Sequence, residues 1–289
     1  MDLAKYAAEN GLKRVGARPP FFAYVKEAWG RRDFAWTLSS FTNKAANARN
    51  RLGRWWMVLT PAMQGVMYGL IFGVILGARN RPEHFISYLF CGVFLFSFMQ
   101  GTFSNGATSV TGNAGLVKSL SFPRVLLPLS ATIQQFINLV PQLGLLLLTV
   151  AADTTLSGFG FPVTWKWLLF IPAMILMILF GAGSSMLAAR LTVQFTDLNK
   201  VIPFAFRIIF YSSGIFYSLD AILKNHPTIA AALKFNPFSA FIDLVRGILI
   251  PGREATTELW LICLGWGILL PIISLLLFWK VEERHGRED

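Results

Sequence analysis

The residues able to do covalent or metal chemistry are few and scattered. His84, His226 and His285 stand far apart, each near an expected loop. A metal centre needs His, Cys or carboxylate ligands converging at short spacings, and a nucleophile needs a base within hydrogen-bond reach. No metal site and no catalytic residue is therefore assigned. Cys91 and Cys263 both lie inside apolar runs and read as buried thiols. Asp153, Asp197, Asp220 and Asp243 fall on different expected sides of the molecule, which argues against a cooperating acid–base pair. The stretch Gly112-Asn113-Ala114-Gly115-Leu116-Val117-Lys118-Ser119 has the glycines of a phosphate loop, but no Gly-Lys pair closes it and no strand precedes it. The chain is expected to bind no nucleotide, so any uphill work must draw its energy from another subunit.

What does recur is polar residues at helical spacing inside apolar segments. Thr60, Gln64 and Tyr68 form one stripe, Ser130, Gln134, Asn138 and Gln142 a second, and Arg207, Tyr211, Gly214 and Ser218 a third. Polar side chains are costly against hydrocarbon and turn towards other helices or water. Each stripe alone is explained by hydrogen bonding between helices, whereas three together favour a wet conduit. Arg207 has two readings: its guanidinium snorkels to the interface past Pro203, or it meets an anionic group such as a phosphate, which suits its planar donor fork.

The elements that must hold these residues are set by composition. Of 289 residues 54% are apolar and 14% charged. That excludes a disordered chain and argues against an ordinary soluble domain, where about a quarter of residues are charged. Uncharged windows at 55–78, 84–117, 125–152, 167–189 and 259–279 each exceed the ~20 residues that cross a bilayer. The second window turns polar from Ser104, so its helix is expected to end near Phe103. A sixth span, about 201–219, contains Arg207. The predicted fold is an all-α membrane protein with six transmembrane helices. Gly181, Ser185 and Ala188 should allow close helix packing, and Pro141, Pro172 and Pro271 should loosen spans locally.

Residues 1–54 carry eleven Lys/Arg against four acids and no signal-peptide core, so they are expected to remain as a cytoplasmic N-terminus. With both termini inside, eighteen basic residues lie inside and seven outside, Arg246 among the latter, as the positive-inside rule requires. The net charge of +11 then faces an anionic lipid surface rather than nucleic acid. Within residues 20–50, Phe21, Phe22, Val25, Ala28 and Trp29 recur at helical spacing among Lys26, Arg31 and Arg32, the pattern of an amphipathic interface helix. It serves either as an anchor alone or also as a docking surface. Segment 220–257, broken at Asn236-Pro237, reads as two re-entrant helices or as a folded external loop. The organisation is a cytoplasmic N-terminus (1–54), a transmembrane domain (55–279) and a cytoplasmic tail (280–289).

At this point the chain resembles a family, the permease subunits of polysaccharide-exporting ABC transporters that move O-antigen, capsule, teichoic acid and related glycans. The resemblance lies in Arg51-Leu52-Gly53-Arg54-Trp55-Trp56-Met57-Val58-Leu59-Thr60-Pro61 and in Gly115-Leu116-Val117-Lys118-Ser119-Leu120-Ser121-Phe122-Pro123-Arg124-Val125-Leu126-Leu127-Pro128-Leu129-Ser130. Asp197, Ile215-Phe216-Tyr217 and Asn236-Pro237-Phe238 with Arg246 extend it over about 30–285. Thr196 stands where the family usually has Arg, and Ser213-Gly214 where it commonly has Pro.

The resemblance implies a homodimer enclosing a channel in the bacterial plasma membrane, paired with two separate ATPase subunits that hold ATP and Mg, with no cofactor in this chain. It implies a coupling loop at about 104–124, with Gly112, Asn113, Leu116, Lys118 and Arg124 engaging the ATPase. The expected path for a lipid-linked glycan is Thr60, Gln64, Tyr68, Gln134, Asn138, Arg207, Tyr211, Phe216 and Tyr217, where aromatic rings stack on sugar faces; Phe210 reads as packing instead. The Trp/Arg-rich sequence suggests a cell-wall galactan precursor as cargo. The alternatives are an exporter of drugs or small lipids and, from another class, an integral membrane glycosyltransferase.

Overall fold

The computed structural model describes residues 20–48, 51–75, 82–156, 164–218 and 233–281, and among them the regular structure is all helical. The helices are α1 (Phe21–Gly30), α2 (Arg32–Asn47), α3 (Trp56–Ile75), α4 (Phe85–Ser109), α5 (Ala114–Ser119), α6 (Leu126–Leu156), α7 (Phe170–Gln194), α8 (Leu198–Ser212), α9 (Pro237–Leu249) and α10 (Thr257–Val281). Five of them, α3, α4, α6, α7 and α10, are long and apolar enough to cross a membrane. They coincide with the five uncharged windows, because a run without charge is what hydrocarbon demands and what leaves every backbone group to bond within its own helix.

Helix α4 is the hub and packs against α3, α6, α7, α8 and α9. Phe94, Leu95 and Met99 at its centre are fully buried. It continues six residues beyond the expected stop at Phe103. The polar run does not break it, because Thr102 donates to Met99 O at 2.8 Å, Thr108 to Asn105 O at 3.3 Å and Ser109 to Gly106 O at 2.7 Å. Hydroxyls that bond back into their own helix remain compatible with it. Gly106 also lets α7 approach: a Cβ there would overlap Ser185, whose hydroxyl donates to Pro128 O of α6 at 2.8 Å. Gly181 lies against Phe98 and Thr102, and a Cβ on Gly183 would come within 2.6 Å of the Pro271 nitrogen on α10. The small residues of α7 thus knit four spans. Pro172 is the third residue of α7, directly after a 3-10 helix over Trp165–Leu169.

The sixth expected span, 201–219, is shorter than anticipated. Helix α8 has 15 residues, about 22 Å at ~1.5 Å each, against ~30 Å of hydrocarbon. Only Phe206 on it is buried. In the segment read as re-entrant, 221–232 lies outside the described residues. Its second half is α9, started by Asn236, whose side chain accepts from Phe238 N at 3.1 Å with Pro237 at the first helical position. Every residue from Phe238 to Leu249 except Asp243 is buried. Gly252, at φ +79, turns the chain back, and Gly247 has no room for a Cβ beside Ala255.

Candidate functional site

The expected path residues divide into one aromatic nest and several separate places. Where the end of α8 meets α3, the Phe216 ring stacks on Phe72 at 4.1 Å and meets Tyr68 at 5.1 Å, while Tyr68 meets Phe210 at 5.4 Å. Tyr211 closes the nest 6.0 Å from Phe216, and Tyr217 donates its hydroxyl proton to Tyr211 O at 2.7 Å. Phe216 is only 1% exposed, so it is a packing residue rather than a lining one, a correction to the sequence reading. Tyr68 and Tyr217 are half-buried and Tyr211 is 48% exposed. Thr60 and Gln64 continue the Tyr68 stripe along the open face of α3, and Arg207 is exposed on α8. Phenol rings and hydroxyls beside an exposed guanidinium can stack on sugar faces and attract a phosphate.

Gln134 and Asn138 lie on α6, both half-buried, and among the described residues the ring contacts and hydrogen bond that build the nest do not include them. Their stripe is largely structural at its ends: Ser130 donates to Leu127 O at 2.7 Å and the Gln142 amide to Met57 O at 2.8 Å, tying α6 to the start of α3. The buried Asn138 Oδ1 has no hydrogen-bond partner among the described residues.

Arg246 was counted among external loop charges, yet it is 0% exposed. All five of its N–H groups are used: Nε and Nη2 donate to Tyr88 O at 3.3 and 3.0 Å, Nη2 to Ile215 O at 3.1 Å, and Nη1 to Gly214 O and Asp243 Oδ1, both at 3.0 Å. The guanidinium carbon lies 3.3 Å from the Tyr88 ring centre, and the Tyr88 hydroxyl reaches Gly214 O at 2.9 Å and Tyr217 O at 2.8 Å. Gly214 has φ +64, which suits a residue without Cβ, and a Cβ on Gly92 would lie 2.7 Å from Nη2. This pin fixes the chain leaving α8 and with it the nest. The Asn-Pro-Phe…Arg spacing was visible in sequence, but the carbonyls it serves come from residues distant along the chain.

Elsewhere, the expected coupling residues lie along a short exposed segment. A 3-10 turn (Thr111–Asn113) precedes α5; Gly112 and Lys118 are exposed, and Asn113, Leu116 and Arg124 half-buried. The Asn113 amide donates to Ser109 O at 2.8 Å. Sequence reasoning missed what holds this segment. Arg31, at the break between α1 and α2, donates to Ser121 O at 2.6 Å, Phe34 meets Phe122 at 4.8 Å, and Val125 N donates to the Tyr24 hydroxyl at 3.3 Å. Phe21 reaches Trp279 of α10 at 5.5 Å. Tyr24 is buried with Phe21, Val25 and Ala28 on the same face half-buried, whereas Phe22 and Trp29 are exposed. The Phe21, Tyr24 and Ala28 side of α1 thus packs on protein while Phe22 and Trp29 face outward, and α2 runs on against α6.

Asp153, Asp197 and Asp243 have separate surroundings. Asp153 accepts from Ser87 at 2.6 Å and lies 3.4 Å from His84 Nδ1, Asp197 lies 3.6 Å from Lys200 on an exposed surface, and Asp243 pairs with Arg246. Asp220 lies outside the described residues.

Comparison with known proteins fits this architecture. The family model described as "ABC-2 type transporter" matches residues 35–250. An O-antigen export system permease protein RfbA of Klebsiella pneumoniae is 25% identical over 256 residues, covering 86% of this chain and 93% of the relative. A protein of the same name from Myxococcus xanthus is 23% identical over 249 residues, 85% of this chain and 90% of the relative. The polysialic acid transport protein KpsM of Escherichia coli is 22% identical over 202 residues, 70% and 75% respectively. With a matching family model across most of its length and five helices fit to cross a bilayer, the chain is a multi-pass membrane transporter subunit belonging to the ABC-2 type transporter family.

Proposed function

We propose that this chain is the membrane-spanning half of an ATP-driven exporter of a lipid-linked polysaccharide. The observation that carries the reading is the similarity over nine-tenths of their length to permeases named for O-antigen export. Two copies enclose the path, with α8 beside the partner copy. The exposed faces of α3 and α8, which carry Thr60, Gln64, Arg207 and Tyr211, line that path. The lipid phosphate enters near Arg207 and sugars pass over Tyr68, Tyr211 and Tyr217. Weak stacking that is shared with hydroxyl hydrogen bonds holds successive sugars without trapping them. Two separate ATPase subunits bind ATP and Mg and push on the α5 segment, through Gly112, Asn113, Leu116, Lys118 and Arg124. Both termini lie in the cytoplasm of a bacterium, the chain resides in the plasma membrane, and a galactan precursor is the candidate cargo.

Surface glycan in cells carrying Tyr211→Ala or Arg207→Gln tests the path. Loss of surface glycan with normal membrane levels of the protein is expected, whereas unchanged export removes the path from this face. Export unaffected by the double substitution Lys118→Ala/Arg124→Ala would contradict the transmission route. A second reading, export of a small lipid, draws on a wholly apolar cavity of about 330 Å³ between α8, α7, α9 and α10, lined by Val201, Phe206, Phe238 and Trp266. Translocation of a short-chain lipid in place of the glycan would favour it.

A further inference from the structure

A cavity of about 630 Å³ opens between α2, the start of α3 and the middle of α6, within the ~300–1,000 Å³ typical of ligand sites. Its walls differ in kind. Trp36, Asn43 and Lys44 come from α2, while Val58 of α3 and Ile137 and Val140 of α6 face them. Val140 is 51% exposed and Trp36 55%, and Lys44 is exposed, so the cavity opens to the surroundings of two membrane-spanning helices. None of its lining residues belongs to the aromatic nest.

Along this part of the sequence the charge is one-sided. Between Asp33 and Glu83 the sequence contains no acid, yet it contains Lys44, Arg49, Arg51 and Arg54 in the stretch that leads from α2 to α3. An apolar floor, tryptophan at the rim and an ammonium beside it form the chemistry that receives an acyl chain, a glycerol backbone and a phosphate. Lys44 sits in the last turn of α2, where the helix carbonyls repel an anion. Its charge is what makes a phosphate tolerable there.

We propose that this cavity holds one anionic glycerophospholipid, its phosphate at Lys44 and an acyl chain against Val58, Ile137 and Val140. The lipid would wedge α2 against the first span, and since the break before α2 grips the α5 segment, lipid headgroup charge would bear on that segment. The inference needs α3 and α6 to span the membrane but does not depend on the cargo.

Native mass spectrometry of the full-length chain titrated with phosphatidylglycerol or phosphatidylcholine tests it, with circular dichroism confirming that each variant is folded. One phosphatidylglycerol per chain should bind at about 5-fold lower concentration than phosphatidylcholine, the effect of one lysine near a headgroup. Lys44→Gln should erase that preference, Val140→Trp should abolish the adduct, and Lys166→Gln, a distant exposed cation, should change neither. Equal binding of the two lipids, or a preference lost equally with Lys166→Gln, overturns the proposal. So does an adduct that survives Val140→Trp while association between chains is lost, which would give the cavity to a second copy. Preferential displacement by a lipid-linked diphosphate would make it a cargo site and also overturn the proposal. Should Val140→Trp not fold, the surface substitution Lys44→Gln decides alone.

Discussion

At the scale of single residues, the buried Arg246 carries the sharpest consequence. Replacing it by Leu leaves the carbonyls of Tyr88, Gly214 and Ile215 and the Asp243 carboxylate without its donors, a loss of about 3–5 kcal/mol for a broken buried charge cluster. Arg246→Lys should not restore it, since a lysine offers three donors in place of a five-donor fork. Thermal unfolding of the detergent-solubilised protein checks both. Two aromatic residues of the nest should separate in the same assay: Phe216→Ala should cost about 3–5 kcal/mol as a buried ring lost to a cavity, while Tyr211→Ala should leave stability nearly unchanged and reduce export. Their difference in burial was not legible in sequence, where Tyr211 and Phe216 both appear as aromatics near the end of one apolar segment. Arg246 was equally hidden. A lone cation beside a glycine reads as a loop charge until the folded chain brings three foreign carbonyls to it.

At the scale of elements, the spans were legible because hydrocarbon tolerates so few charges that their absence marks each crossing. Their ends were less so. Helix α4 runs on through Ser104–Ser109 because its hydroxyls find carbonyls in their own helix and Gly106 admits α7, both of them matters of packing rather than composition. Gly183→Leu should therefore reduce folded yield in the membrane, as should Gly106→Leu, since in each case a side chain must enter space held by another helix. The sequence marked the N-terminal helices as an interface element, an anchor alone or also a docking surface, but gave no sign that Tyr24, Arg31 and Phe34 hold the segment from Ser121 to Val125. Single contacts of that kind contribute only about 1 kcal/mol. Arg31→Ala combined with Tyr24→Phe is accordingly expected to leave unfolding within a few degrees of the parent while lowering export per ATP hydrolysed. An unchanged ratio of export to hydrolysis would show that the clasp plays no part in transmission.

At the scale of the whole molecule, the exposed apolar faces of α3, α8 and α10 are too extensive for water. Apolar faces of that extent are met by lipid or by another chain, and the proposed reading supplies both, lipid and a second copy. The most direct measurement is translocation in proteoliposomes containing the purified chain and its ATPase, loaded with a labelled glycan lipid and probed with an enzyme that digests only glycan on the far side. Digestion that requires ATP, the ATPase and this chain together is the expected result. Glycan that becomes accessible without the ATPase, or that never crosses while a short-chain lipid does, would contradict polysaccharide export.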